Sequence, residues 1–176
     1  MGVIKEMIIF EDRLAEMFAD LPDMVSLSGN STHKVTFGYG DGKELNVFLK
    51  QKEKGDSPYP LVWLLYPYAE LQTNRNMSVG NVSLILAVNT NTSMQNKERI
   101  DETYKKLLIP LYNNIVHLFR RSNIVNTDSE YNVVKHPNYS DDTSTGEGHF
   151  ANGVWDAMKV TFSMTVIDTC YKNVNF

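Results

Sequence analysis

The sequence predicts an α+β fold: one domain with a mixed, mainly antiparallel β-sheet, packed by an N-terminal helix and a long central helix, and carrying a long polar loop. Three observations lead there. In residues 158–166, Met158, Val160, Phe162, Met164 and Val166 alternate with Lys159, Thr161, Ser163 and Thr165, the period-two pattern of a strand with one face on a core. Ile100, Tyr104, Leu107, Leu111, Ile115 and Leu118 recur every three or four residues, the stripe of a long amphipathic helix. Strand and helix can cover each other, and each buried strand side chain is worth roughly 1.5–3 kcal/mol. Finally, 176 residues with 42% hydrophobic and 22% charged side chains suit one core of ordinary size.

Met7, Phe10, Leu14, Met17 and Leu21 step along one face of an N-terminal helix that ends before Pro22, whose ring opposes helix continuation. Residues 35–39 and 45–49 flank Gly40-Asp41-Gly42, which reads as a β-hairpin with a glycine turn. Leu61 to Tyr66 is a continuous apolar run between Pro60 and Pro67, expected as a central strand covered on both faces. Residues 68–78 are polar and read as a loop or extended arm. Residues 79–88 read as a strand inside the sheet, because both of its faces carry apolar side chains. The polar residues 89–93 are placed to cap a helix that starts near Gln95 and runs toward Arg121. Pro110 falls inside it, but the apolar stripe stays in phase across the proline, which predicts one kinked helix rather than two. Residues 123–153 are rich in Asn, Asp, Ser and Thr. Only Tyr131 to Lys135 there resembles a strand, and a connection this long inside a domain points to contact function.

A formal net charge of −4 argues against a broad nucleic-acid footprint and sequence-specific binding. Lys105, Lys106, Arg120 and Arg121 read as solvated helix positions. Cys170 is the single cysteine, so an intramolecular disulfide and a multi-cysteine metal site are excluded; it is expected as a small buried hydrophobe. The first ten residues lack the pattern of a secretory signal, and no membrane segment is expected. His136, Asp141, Asp142 and His149 share one loop without metal-ligand spacing, and His117 reads as a residue within the central helix at the boundary of its apolar stripe. No nucleophile elbow or phosphate loop occurs. Trp63 and Trp155 are expected in the core. No cofactor and no catalysis are expected from these side chains.

Two segments carry a resemblance. In the first, Lys97-Glu98-Arg99 leads through Tyr104 into Leu107-Leu108-Ile109-Pro110-Leu111. In the second, after the Asn/Asp loop, stands Asn152-Gly153-Val154-Trp155-Asp156-Ala157-Met158-Lys159-Val160. With the element order, they resemble the tail-terminator and tail-completion (neck, head-tail joining) proteins of long-tailed bacteriophages. The resemblance implies a homo-oligomeric ring, usually sixfold. Such a ring stacks on the tail tube, stops its growth and meets the head connector, in a virion assembled in the host bacterial cytoplasm. Under it, residues 68–78 and 123–153 are the contact arms, with Tyr68, Arg75, Tyr131, His136, Tyr139, Asp141, Asp142, His149 and Phe150 as candidate interface residues. A small cytoplasmic metal-dependent enzyme using the loop from His136 to His149, and a monomeric binding module, are the alternative readings.

Overall fold

Two long antiparallel strands, β6 (Asn76–Asn89) and β9 (Trp155–Ile167), form the middle of the sheet, in a computed structural model that describes residues 7–25, 29, 31–52, 59–73, 75–90, 93–127, 130–137, 155–170 and 172–176. Their register pairs Val82 with Phe162, Leu84 with Val160 and Leu86 with Met158. These side chains share a face, and none is more than 5% exposed. The alternation in residues 158–166 thus becomes the core side of β9.

Before these strands come helix α1 (Phe10–Phe18), the short pair β1 (Met24–Val25) and β2 (Thr32–His33), and strand β3 (Thr36–Gly40). Helix α2 (Gly42–Lys52) and strands β4 (Leu61–Leu65) and β5 (Ala69–Gln72) follow. After β6 the central helix runs unbroken as α3 (Asn96–Arg99), a π-helical stretch (Ile100–Leu108) and α4 (Ile109–Arg121), then β7 (Val125–Thr127) and β8 (Asn132–His136). The sheet order is β3-β4-β6-β9-β7, with β5 also on β6 and β8 also on β9. Only β3 and β4 pair in parallel; the other pairs within the described residues are antiparallel.

The sheet has two unequal cores. On one face α1 and the central helix cover Val62, Leu64, Val82, Leu84, Val160 and Phe162 with Phe10, Leu14, Tyr104, Leu111 and Phe119. On the other, α2 brings Leu45 and Phe48 onto Leu61, Trp63, Ile85, Ala87, Trp155 and Ala157. This explains why Leu61 to Leu64 is apolar without alternation: helices lie on both sides of it. Both tryptophans are core residues, as expected.

Several elements differ from the sequence reading. The expected hairpin is a strand followed by a helix: the Asp41 carboxylate accepts the N–H groups of Lys43 and Glu44, both at 2.8 Å, and the Glu44 carboxylate accepts the Asp41 N–H at 2.8 Å. That reciprocal pair is a capping box and starts α2. Gly40, at φ +140°, leaves room for Glu44 to fold back, since a Cβ there would collide with that carboxylate. Residues 68–78 are largely β5 and the start of β6, so the expected arm is built into the sheet. In the long polar region β7 joins β8 as a second strand. The N-cap of the central helix is Gln95, which makes no side-chain cap hydrogen bond; of the polar residues 89–93 expected to cap it, 91 and 92 lie outside the described residues. Ile100 is half outside the stripe at 37% exposure, and Cys170 is exposed rather than buried.

Pro110 explains the π-helical stretch. Proline has no N–H, and its ring crowds the carbonyl four residues back. Winding wider by one residue moves that carbonyl away: the Ile109 N–H bonds to the Tyr104 carbonyl, five residues back, and α-helical winding resumes around the proline. The helix is continuous, as expected. No helix among the described residues is long and apolar enough to cross a membrane.

Candidate functional site

The strand rows break along one line across the sheet. On one side of β6, β4 stops at Leu65 opposite Ser83, and β5 starts at Ala69 opposite Gly80. In β6 itself the register to β9 shifts between Val79 and Val82, so that Gly80 and Asn81 oppose Ser163 alone. On the far side of β9, β8 pairs as far as Thr161 and β7 starts at Met164, leaving Phe162 and Ser163 between them. The result is a transverse seam. Asn81, at its centre, has φ +57°, the left-handed region that short amide side chains tolerate best. A bulge of two residues against one locally kinks the sheet and re-aims side chains.

A concavity of about 910 Å³ opens on the seam, lined by Asn81, Glu130, Tyr131, Asn132, Thr161, Phe162 and Ser163. Tyr131 is held with its ring edge-on to Tyr112 and tilted against Phe162, and its hydroxyl is 2.7 Å from the Thr127 hydroxyl oxygen. The Thr161 hydroxyl lies 3.3 Å from that of Ser83 across the ladder.

At the opposite end of the seam, where β4 gives way to β5, Tyr66 and Tyr68 both donate to one oxygen of the Glu11 carboxylate at the start of α1. Burial pushes the Glu11 carboxyl up, but the two hydroxyl donors outweigh it and hold the group below its ordinary value. Both tyrosines are pushed well above the usual phenol range, first by burial and then by the hydrogen bond to Glu11 and its negative charge. The rings continue as a chain of contacts: Phe10 meets Tyr68, Tyr68 meets Tyr66, and Tyr66 meets the half-exposed Tyr39.

A third polar group is fully enclosed. Arg99 Nη1 lies 2.8 Å from Asp156 Oδ1, with side chains 3% and 0% exposed, and Arg99 Nε donates to the Met94 carbonyl at 3.1 Å. The Thr103 hydroxyl is 2.6 Å from both Asp156 Oδ2 and the Arg99 carbonyl; its single proton serves one of them. Tyr104 donates to the Ala157 carbonyl at 3.2 Å, and burial, then the charge of Asp156, raises its phenol. These contacts tie the central helix to the first residues of β9. Arg99 and Asp156 belong to the two segments that carry the family resemblance, but sequence gave no sign that they meet.

Of the residues singled out from sequence, Tyr68 and Tyr131 stand at opposite ends of the seam. His136 ends β8 opposite Ala157, and Arg75 is exposed at the β5–β6 turn, its carbonyl accepting the Asp168 N–H at 2.9 Å. The structure does not bring these four together. Tyr139, Asp141, Asp142, His149 and Phe150 lie outside the described residues. Among the described residues no cluster of three or more His, Cys, Asp or Glu could hold a metal ion. Glu11, Tyr66 and Asn81 were missed; a left-handed asparagine and a carboxylate 55 residues from its hydroxyl partner have no local signature.

No protein-family model and no curated protein matches the chain.

Proposed function

We propose that this is a virion structural protein of a tailed bacteriophage. In this reading it forms a homo-oligomeric ring, sixfold as in the resembling family, at the neck end of the tail. There it completes the tail, joins it to the head connector and acts without catalysis. The observation that carries the reading is the pair of sheet edges. Among the described residues β3 pairs only with β4, and β8 only with β9. Because β3 runs with β4, and each later neighbour from β4 through β6 and β9 to β8 is antiparallel, β3 and β8 run in opposite directions. A copy rotated about an axis parallel to the strands therefore offers β3 antiparallel to β8 of its neighbour, with the helices of both on the same side. Such a head-to-tail contact closes into a ring when the rotation does, and an unpaired edge is a template for another chain. Tyr39 on β3 and Val134 on β8 are exposed at these edges, 50% and 43%.

Light scattering over a concentration series, with negative-stain electron microscopy of the protein alone and mixed with purified tail tubes, tests the proposal. Rings of one size, or capped tube ends, are expected. A monomer at every concentration that also leaves tube ends bare sinks the reading.

A further inference from the structure

We propose that the seam concavity is a binding site for a neutral polyhydroxyl ligand, a mono- or disaccharide. Its polar lining, among the described residues, is two carboxamides, Asn81 and Asn132, two hydroxyls, Thr161 and Ser163, and one carboxylate, Glu130. Carboxamides and hydroxyls both donate and accept hydrogen bonds, as a sugar hydroxyl does, and a carboxylate accepts from two such hydroxyls. Among the described residues no lysine, arginine or histidine lines the space. From the described lining a phosphate or carboxylate ligand would therefore meet Glu130 with no cation to offset it, and a divalent cation would find a single charged ligand. A wholly apolar ligand would desolvate five polar groups without replacing their hydrogen bonds. Tyr131, half-buried and backed by the Phe162 ring, supplies apolar ring surface against which the C–H face of a pyranose packs.

Three features of the backbone converge on the same place. The bulge sets Asn81 in a conformation that most side chains avoid. The ladder leaves Phe162 and Ser163 between two strands. The volume of about 910 Å³ lies within the range of ligand pockets. Backbone outliers of this kind collect at binding sites, and the inference runs from the outlier to the function.

The test is a two-dimensional amide NMR titration of the full chain with glucose, N-acetylglucosamine, maltose and chitobiose, with inorganic phosphate and triglycine as controls. Saturable shifts at Asn81, Asn132, Thr161 and Ser163 are expected for at least one sugar, with Kd on the order of 1 mM, and none for phosphate. Asn81→Gly removes the carboxamide while keeping a residue at ease in the left-handed region. It should weaken binding about tenfold with the melting temperature held. If that variant does not fold, Asn132→Ala on the exposed edge strand carries the same comparison. The proposal is overturned if no sugar moves these amides at about 100 mM, or if triglycine alone moves them, which marks a peptide site. Sugar shifts that ignore both substitutions overturn it equally.

Discussion

Removing the Asp156 carboxylate tests the enclosed ion pair that joins the central helix to β9. In Asp156→Ala the Arg99 guanidinium keeps contacts that include the Met94 carbonyl at 3.1 Å and Thr90 Oγ1 at 3.5 Å, but loses the Asp156 carboxylate at 2.8 Å in a site where its side chain is 3% exposed. The Thr103 hydroxyl loses one of its two acceptors. Stranding one partner of a buried pair costs about 3–5 kcal/mol, a large part of a net stability of about 5–15 kcal/mol. For a chain of this size each kcal/mol lowers Tm by about 2–4 °C, so a fall of about 6–20 °C is expected. Urea unfolding followed by circular dichroism measures the loss directly, with an unchanged m-value showing that the unfolded state is not responsible. Replacing both partners, Arg99→Met with Asp156→Ala, removes the stranded charge and should recover more than half of the loss. A cost below about 1 kcal/mol for Asp156→Ala would mean that water reaches the guanidinium, and a double variant as unstable as the single one would mean that packing, not charge, holds the junction.

Gly38→Ala should destabilise by about 1–3 kcal/mol, because a Cβ there would sit 2.5 Å from Trp63 Cζ3; equal melting of variant and parent would refute the contact. Phe162→Asp should abolish soluble folding, since this side chain is 5% exposed in the main core, whereas Thr161→Asp on the open face should stay soluble, as expression and gel filtration would show. Glu11 is held below its ordinary value, so its share of stability is present above that value and disappears as pH falls through the lower folded value. Glu11→Gln should accordingly flatten the loss of Tm between pH about 6 and about 3. For Tyr66 and Tyr68 the sign is reversed: their folded values are raised, so their contribution is complete below the ordinary phenol value of about 10 and is lost as pH rises beyond it. Replacing both by Phe should remove that alkaline slope in a pH series of thermal melts.

Burial patterns that repeat within a single element were legible in the sequence. Helix α1, the central helix, β4, β6 and β9 each declare themselves through side chains a few positions apart, because a helix turn or strand pleat sorts neighbours onto faces before any partner is known. The segment from Leu45 to Leu49 shows where this fails. Its apolar residues alternate as Leu45, Val47 and Leu49 and also fit a helix as Leu45 and Phe48, so periodicity alone does not choose. The Asp41–Glu44 capping pair was the local cue that would have decided it.

The sequence by itself determined that an α+β fold would form and which side chains of its principal strands and helices would be buried. Tertiary structure decided the rest. Arg99 meets Asp156 across 57 residues, Tyr66 meets Glu11 across 55, and the seam exists because three breaks, from β4 to β5, within β6 and from β8 to β7, fall into register. The physical reason is that periodicity is set by bonds along the chain, whereas a buried charge, a bulge and a cleft are set by which distant segments share space. Their stabilisation depends on partners that no local window contains.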